Sequence, residues 1–182
     1  MTGSYQHPQA LVEEGAVIGE GTRIWAFTHV QKGAVVGRDC NICNGGFIES
    51  GAVVGDRVTI KHNVSVFEGV TIEDDVFIGS NIAFINDQYP RSRRADWTLL
   101  KTRIRQGATL GANAVILGGI TVGRYALVGA GSVVTRDVPA YRLVRGNPAV
   151  IVGWVCRCGR PVDAERYCTV CQETIGDEDD DV

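Results

Sequence analysis

The chain has 182 residues, of which 45% are hydrophobic, with 18 Lys and Arg against 21 Asp and Glu. This length supports one main domain with at most a small appendage, and the balanced charge argues against binding to nucleic acid or to an anionic membrane. No stretch approaches the roughly 20 apolar residues of a membrane-spanning helix, and the N-terminal residues carry no leader pattern, so we expect a cytoplasmic protein.

A period of six residues runs through most of the chain. Every sixth residue from Val12 to Phe84 is apolar, and the same spacing resumes at Ile104 and continues to Ala140. This period fits neither an amphipathic helix nor a plain alternating strand, but it is typical of short strands joined by turns. We predict an all-β parallel β-helix over residues 10–154, with three hexads to a coil and the aliphatic residues inside.

A filled β-helix restricts where a ligand can bind. Because side chains occupy its interior, the pattern predicts a site on the outside, in a groove between the subunits of a symmetric homo-oligomer. Glycine often follows the inward aliphatic residue, as at Gly19, Gly55 and Gly111. We attribute these glycines to tight turns, which favour a residue without Cβ.

The hexad pattern breaks between Phe84 and Ile104, at the segment INDQYPRSRRADWTLLKTR. This segment predicts a protruding loop over residues 86–103 that contains Pro90, Trp97 and the arginines Arg91, Arg93, Arg94 and Arg103. One interpretation is a solvated insertion. The other is a loop that reaches a neighbouring subunit and supplies cations to a diphosphate, for which the planar fork of arginine is well suited.

The tail carries two close pairs of cysteines, Cys156 with Cys158 and Cys168 with Cys171. Four thiolates suit a closed tetrahedral zinc site with no position open for catalysis, so we predict a structural four-cysteine zinc-binding module over residues 155–174. The alternative is four free thiols. Residues 175–182 end in an acidic run that predicts a disordered tail.

Three functions are compatible with a β-helix of this kind. A γ-class carbonic anhydrase needs three histidines on one zinc ion, but His29 and His62 are out of phase with the coil repeat. A non-catalytic scaffold is not excluded by the hexads. Acyl transfer from acyl-CoA to a hydroxyl is expected to need a histidine base, yet the loop begins with Asn86-Asp87 and contains no histidine. An amine acceptor relaxes that demand, because it needs only to enter neutral.

Three segments carry a resemblance to a known family: GTRIWAFTHV, VTIKHNVSVFEGVTIEDDVFIGSNIAFINDQYPRSR and GATLGANAVILGGITVGRYALVGAGSVVTRDVPAYRLVRGNPA. They resemble the hexapeptide-repeat N-acetyltransferases that acetylate the 3-amino group of nucleotide-linked sugars, and the similarity covers residues 10–154. The resemblance implies a left-handed β-helix and a homotrimer that uses acetyl-CoA. It also implies a dTDP- or UDP-linked 3-amino sugar bound at the subunit interface, with an O-acetyltransferase or a scaffold as the alternatives.

By the same similarity, Asn86 contacts the acceptor amine. His62 is the other candidate for a catalytic role, although a lone histidine on a coil is more often a plain polar residue. Glu68 lies 18 residues before Asn86, so we expect the two to share a polar pocket. The predicted substrate-binding residues are Glu68, Asp87, Arg91 and Asn63.

For the acetyl donor, the second block of repeats offers backbone N–H groups at Gly111, Ala112 and Ala130 that are expected to hold the pantetheine arm and polarise the thioester carbonyl. Arg136 and Arg145 are candidate partners for the CoA phosphates. Either arginine is equally compatible with a solvated surface position. The departing CoA thiolate is expected to take the proton that the amine releases.

Overall fold

The structure, a computed structural model, describes residues 3–93 and 96–175. These residues form 25 short strands and no helix, so none of the described segments is a helix that would cross a membrane. The strands are β1 (Tyr5–Gln6), β2 (Leu11–Val12), β3 (Val17–Ile18), β4 (Arg23–Ile24), β5 (His29–Val30), β6 (Val35–Val36), β7 (Asn41–Ile42), β8 (Phe47–Ile48), β9 (Val53–Val54), β10 (Thr59–Ile60), β11 (Ser65–Val66), β12 (Val70–Ile72), β13 (Phe77–Ile78), β14 (Ala83–Phe84), β15 (Thr102–Ile104), β16 (Thr109–Leu110), β17 (Val115–Ile116), β18 (Thr121–Val122), β19 (Leu127–Val128), β20 (Val133–Val134), β21 (Arg142–Gly146), β22 (Ala149–Val155), β23 (Pro161–Val162), β24 (Tyr167–Cys168) and β25 (Glu173–Thr174).

The strands build the three faces of a parallel β-solenoid. The first face contains β1, β4, β7, β10, β13, β16, β19 and β21; the second contains β2, β5, β8, β11, β14, β17 and β20; the third contains β3, β6, β9, β12, β15 and β18. Within a face, Thr59 pairs with Asn41 on one side and with Phe77 on the other, so paired residues are 18 apart. The all-β parallel β-helix predicted from the hexads is confirmed.

The interior is a single column of aliphatic side chains. In a two-residue strand the side chains alternate, so the first residue points outward and the second points inward. The inward residues Ile42, Ile60 and Ile78 are fully buried. The small residue four positions later also points inward, as at Ala52 and Val58, and fills the bend between two faces.

The glycines that follow the inward aliphatic residues are needed for a different structural reason from the one expected. Gly19, Gly55 and Gly111 do not have positive φ angles, so the expectation of tight turns is wrong. A Cβ on Gly111 would overlap the backbone nitrogen of Ala130 in the next coil. Glycine is required here because the backbones of successive coils approach each other closely.

The loop is inserted at one corner of one coil. Phe77 pairs with Thr109 and Val70 pairs with Thr102, so this coil takes 32 residues. The other coils take 18, except the last, in which Leu127 pairs with Leu143 at an offset of 16. We name the turns that follow the first and second faces corner 1 and corner 2. Corner 1 comprises residues 25–28, 43–46, 61–64, 79–82, 111–114 and 129–132, and corner 2 comprises residues 13–16, 31–34, 49–52, 67–69, 85–101, 117–120 and 135–137.

The C-terminal segment closes one end of the solenoid. Strand β21 continues the first face, β22 pairs with it antiparallel, and β23 pairs with β22. Strands β24 and β25 form a separate hairpin. Ile175, which the sequence assigned to the acidic tail, is buried against Ala140 and Tyr141, whereas residues 176–182 lie outside the described part of the chain.

Candidate functional site

A cleft of about 380 Å³ opens at corner 2, where the loop leaves the solenoid. Ser65 pairs with Ala83, so Glu68 and Asn86 occupy equivalent positions in successive coils. Asp87 follows directly, and its Oδ1 accepts a hydrogen bond of 2.9 Å from the Tyr89 backbone N–H. The structure thereby brings together three of the predicted acceptor-site residues. The lining residues are Glu49, Phe67, Glu68, Asn86, Asp87 and Trp97.

This cleft, which we call the acidic cleft, carries three carboxylates and no cation among its lining residues. Glu49 is partly engaged, because its Oε2 accepts the Glu68 backbone N–H at 2.7 Å. The Phe67 and Trp97 side chains add apolar walls. A lining of this kind favours a cationic ligand with an apolar surface over an anion.

A second cleft of about 630 Å³ lies on the other side of corner 2 and is also lined by Glu68. We call it the cationic cleft, because Lys101 and Arg103 line it together with Thr71 and Thr121. Among the described residues Lys101 makes no ion pair. Arg103 is 3.7 Å from Glu73, but that carboxylate also lies 3.8 Å from Arg105, so one negative charge faces two guanidinium groups.

The predicted cation Arg91 does not line either cleft. Its Nη1 donates to the Pro90 carbonyl at 2.8 Å, and Arg94 lies outside the described residues. Of the predicted loop arginines that the structure describes, Arg103 lines the cationic cleft, together with Lys101, which the sequence analysis had not named. The position of Arg103 is readable in hindsight, because it directly precedes the inward residue Ile104 and must therefore point outward. Phe67 and Trp97 carried no comparable signal.

His62 and Asn63 lie at corner 1, away from the acidic cleft. The Asn63 side-chain Nδ2 donates to Asn81 Oδ1 at 3.3 Å, and the His62 carbonyl accepts the Asn81 backbone N–H at 3.0 Å. The second face separates residue 62 from residue 68, a path of about 20 Å for extended chain. Within one chain the structure therefore does not bring His62 to Asn86.

The predicted CoA-binding residues are divided between the two corners. Gly111 donates its N–H to the Val128 carbonyl at 2.8 Å, so this amide already has an acceptor, and the CoA-binding role of Gly111 stays a prediction. The N–H groups of Ala112 and Ala130 have no acceptor within the described ranges, and both residues lie at corner 1. Arg145 continues this column because it stacks on Gly129, whereas Arg136 is exposed at corner 2.

The four tail cysteines converge on one point. The Sγ atoms of Cys156, Cys158, Cys168 and Cys171 all lie within 4.8 Å of one another, and Cys158 and Cys168 are 3.7 Å apart. Tetrahedral zinc with bonds of about 2.3 Å places its sulfur ligands about 3.8 Å apart, so donor set and spacing fit that ion. Four thiolates are a suitable set of donors for a metal ion. Among the described residues, no histidines form such a group.

The electrostatics of the cysteines differ from one thiol to another. The Cys171 backbone N–H donates to Cys168 Sγ at 3.4 Å and lowers the pKa of Cys168 to about 7. Burial raises the pKa of Cys156, whose side chain is 1% exposed. Backbone donors of this kind favour the thiolate that a metal ion requires.

The cysteine module is docked on the last coils through one aromatic residue. Two guanidinium groups stack on the Trp154 ring. The Cζ atom of Arg142 lies 3.1 Å from the ring centroid, and the Cζ atom of Arg166 lies 3.7 Å from it. Glu173 adds an ion pair of 2.6 Å with Arg157 and accepts from Cys156 Sγ at 3.5 Å. Aromatic stacking and buried side chains therefore join the module to the solenoid.

Comparison with known proteins agrees with the repeat architecture. Residues 15–50 and 101–136 match the family of bacterial transferase hexapeptides (six repeats), and residues 69–85 match the hexapeptide repeat of succinyl-transferase. A dTDP-3-amino-3,6-dideoxy-α-D-galactopyranose 3-N-acetyltransferase from Aneurinibacillus thermoaerophilus is 51% identical over 72 residues. That match covers 40% of this chain and 38% of the relative, so the chain matches well under half of that relative's length.

Two solved structures extend the likeness to two thirds or more of the chain. A hexapeptide-repeat-containing acetyltransferase from Vibrio cholerae, complexed with acetyl-coenzyme A, has a TM-score of 0.60 and 29% identity, covering 67% of this chain and 70% of the other. The acetyltransferase domain of PglB from Neisseria gonorrhoeae, also in complex with acetyl-coenzyme A, has a TM-score of 0.54 and 25% identity, covering 82% and 57%. Together with the three-faced solenoid, these likenesses show that the chain contains bacterial transferase hexapeptide repeats and is similar to hexapeptide-repeat acetyltransferases.

Proposed function

We propose that the protein is an acetyl-CoA-dependent N-acetyltransferase that acetylates the 3-amino group of a dTDP- or UDP-linked amino sugar. The observation that carries this proposal is the pair of adjoining clefts at corner 2, which share Glu68. The acidic cleft suits an ammonium group, and the cationic cleft suits a diphosphate. A nucleotide-linked amino sugar carries both groups on one molecule.

The reaction needs little from the protein beyond positioning. The amine is attracted as an ammonium ion, loses a proton to solvent, and is held by the Asn86 side chain. Its lone pair attacks the thioester carbonyl carbon, the carbon–sulfur bond breaks, and the CoA thiolate takes the second proton. The Ala112 and Ala130 N–H groups are suited to stabilise the carbonyl oxygen as it becomes negative. Holding the reactants in place supplies much of the rate enhancement.

The proposed assembly is a homotrimer with active sites between subunits. Asn86 and Glu68 lie at corner 2, whereas Ala112 and Ala130 lie at corner 1 of the same chain. Arg145 lies near the end of β21, beside corner 1. The second face separates these two sets. A complete site therefore needs corner 1 of one subunit to meet corner 2 of its neighbour, as the symmetric packing of a closed oligomer permits.

The proposal on substrate follows the named relatives. The Aneurinibacillus enzyme is named for a dTDP-linked 3-amino-3,6-dideoxy sugar, and the Vibrio and Neisseria structures contain acetyl-coenzyme A. We accordingly place a 3-amino-3,6-dideoxyhexose ahead of an amino uronate. The uncharged C6 of such a sugar suits a cleft that contains Phe67, Trp97 and three carboxylates.

We also propose that Cys156, Cys158, Cys168 and Cys171 bind one structural zinc ion. The convergent sulfur atoms and their spacing support this assignment. A closed set of four thiolates leaves no position open for a substrate, so the ion stabilises the module and takes no part in acyl transfer.

The enzymatic proposal is tested by following thiol release from acetyl-CoA. The acceptors are dTDP- and UDP-linked 3-amino sugars, each paired with the matching 3-hydroxy sugar. We expect CoA release with an amine and none with its hydroxyl partner. CoA release with the hydroxyl sugars alone would indicate an O-acetyltransferase. If none of the acceptors led to CoA release, a non-catalytic scaffold would be supported.

A further inference from the structure

Corner 2 contains a ladder of side chains that cap backbone amides of the next coil. The Glu13 side chain accepts the Lys32 N–H at 2.9 Å, Gln31 accepts the Ser50 N–H at 3.1 Å, and Glu49 accepts the Glu68 N–H at 2.7 Å. Each acceptor stands 19 residues before the amide that it caps. The same corner position therefore uses a glutamate or glutamine three times in succession.

The ladder ends at Phe67, which stands 19 residues before Asn86. Phenylalanine has no acceptor atom. Its ring packs against the core residues and lies 6.4 Å from the Phe47 ring, and it lines the acidic cleft. The Asn86 carbonyl accepts the Leu100 N–H at 3.2 Å, but within residues 3–93 and 96–175 the Asn86 N–H has no acceptor.

Asn86 is half-buried and lines the acidic cleft, so its unpaired N–H is a ready donor for a ligand. Glu49, Glu68 and Asp87 line the same cleft, so an anionic ligand group would be repelled and a neutral oxygen is favoured. On a sugar, a neutral oxygen next to a reacting amine is a hydroxyl. The Phe67 ring beside this donor provides an apolar surface for the C–H face of such a sugar.

We propose that the Asn86 backbone N–H binds a hydroxyl oxygen of the acceptor sugar, and that Phe67 is a positioning residue that keeps this donor unoccupied in the free protein. The inference rests on the proposed acetyltransferase function and adds a specific contact to it. Phe67 acts by lacking an acceptor where the preceding coils have one. A glutamine at position 67 would cap Asn86 as Gln31 caps Ser50.

The test compares Phe67→Gln with Phe67→Met, which is close to glutamine in length but has no strong acceptor. We expect Phe67→Gln to raise the KM for the amino sugar about tenfold relative to Phe67→Met, because one hydrogen bond is withdrawn from the substrate. The KM for acetyl-CoA should be equal in the two variants. Phe67→Glu is a second acceptor variant for use if Phe67→Gln does not fold.

A second readout needs no substrate. In protein labelled with ¹⁵N-asparagine, the Asn86 amide should exchange with solvent more slowly in Phe67→Gln than in Phe67→Met or the wild type. Equal exchange rates in the two variants, or an equal KM for the sugar, would overturn the proposal. A wild-type protein that acetylates no amino sugar would refute the acetyltransferase function instead, since exchange is measured on the free protein.

Discussion

Asn86 lies at the junction between the solenoid and the loop. It stands one coil after Glu68, its carbonyl anchors the returning chain at Leu100, and its side chain lines the acidic cleft. These contacts depend mainly on the backbone path, and the side-chain amide is available to a ligand. A change of the side chain should therefore affect turnover more than folding.

We expect Asn86→Ala to lower kcat/KM for the amino sugar about 100-fold, since a hydrogen bond that orients the nucleophile is lost. The thermal unfolding midpoint should stay within about 2 °C of the wild type, because the side chain lines a cleft and the backbone makes the contact with Leu100. Steady-state kinetics and calorimetry check the two effects. Gln88→Ala, at an exposed loop position, is the control. Unchanged kinetics in Asn86→Ala would refute its assignment.

Gly111 shows how closely the coils stack. A Cβ there would overlap the Ala130 nitrogen, whereas a Cβ on Gly153 would meet nothing within 4 Å. We expect Gly111→Ala to reduce the free energy of unfolding by about 1–3 kcal/mol, the usual cost of overpacking. Gly153→Ala should change it by less than about 0.5 kcal/mol. Urea unfolding of both variants decides the point, and equal stabilities would show that the coils can separate without cost.

The cysteine module is the element whose stability depends least on a hydrophobic core. It buries Ile175 and stacks Trp154, but its strands β23, β24 and β25 have two residues each. Such a small unit generally needs a metal ion or disulfides to hold its shape. The spacing of the four sulfur atoms favours the metal.

We expect about one equivalent of zinc per chain in the purified protein, measured by elemental analysis. Cys158→Ser and Cys171→Ser should each abolish stable binding, because a tetrahedral thiolate site loses one of its four ligands. Cys43→Ala is the matched control, because Cys43 lies at corner 1 and is not part of the four-cysteine cluster. A zinc content below about half an equivalent in the wild type would count against the site.

At the scale of the whole molecule, the three-faced solenoid holds the acceptor cleft at corner 2 and the predicted CoA-binding residues Ala112 and Ala130 at corner 1. The third face also carries a stripe of exposed valines, formed by Val17, Val35 and Val53 at 56%, 37% and 40% exposure. Consecutive coils present these side chains in one line. An apolar stripe of this kind is typical of a contact between subunits.

We expect the protein to run as three chains of 19.6 kDa each in size-exclusion chromatography with light scattering. Val53→Asp should shift the mass toward that of one chain and remove activity, because a charge in an apolar contact must be desolvated. Thr109→Asp, on the outer side of the first face, is the control. A single chain that retains full activity would contradict an active site shared between subunits.

The sequence by itself determined the solenoid, because the hexad is a local pattern: each inward aliphatic residue depends only on its position within a two-residue strand and its turn. It also determined the equivalence of Glu68 with Asn86 and the set of four cysteines. The convergence of the four sulfur atoms to within 4.8 Å was decided by how the chain folds after β22, with β23 pairing on β22 and β25 pairing on β24, which no local pattern encodes.

Only the tertiary structure decided which side chains share a cleft. The loop interrupts the six-residue repeat, so the sequence does not show in which register the chain rejoins the solenoid. That register, which places Lys101 and Arg103, depends on how the loop closes in space. His62 is a different case, because it stands one hexad before Glu68 and the count of sixes alone therefore places it across a face from Asn86. The neighbouring coil explains glycine at position 111 and phenylalanine at position 67. In a closely packed solenoid, the side chain that fits at a position depends on the residues one coil away.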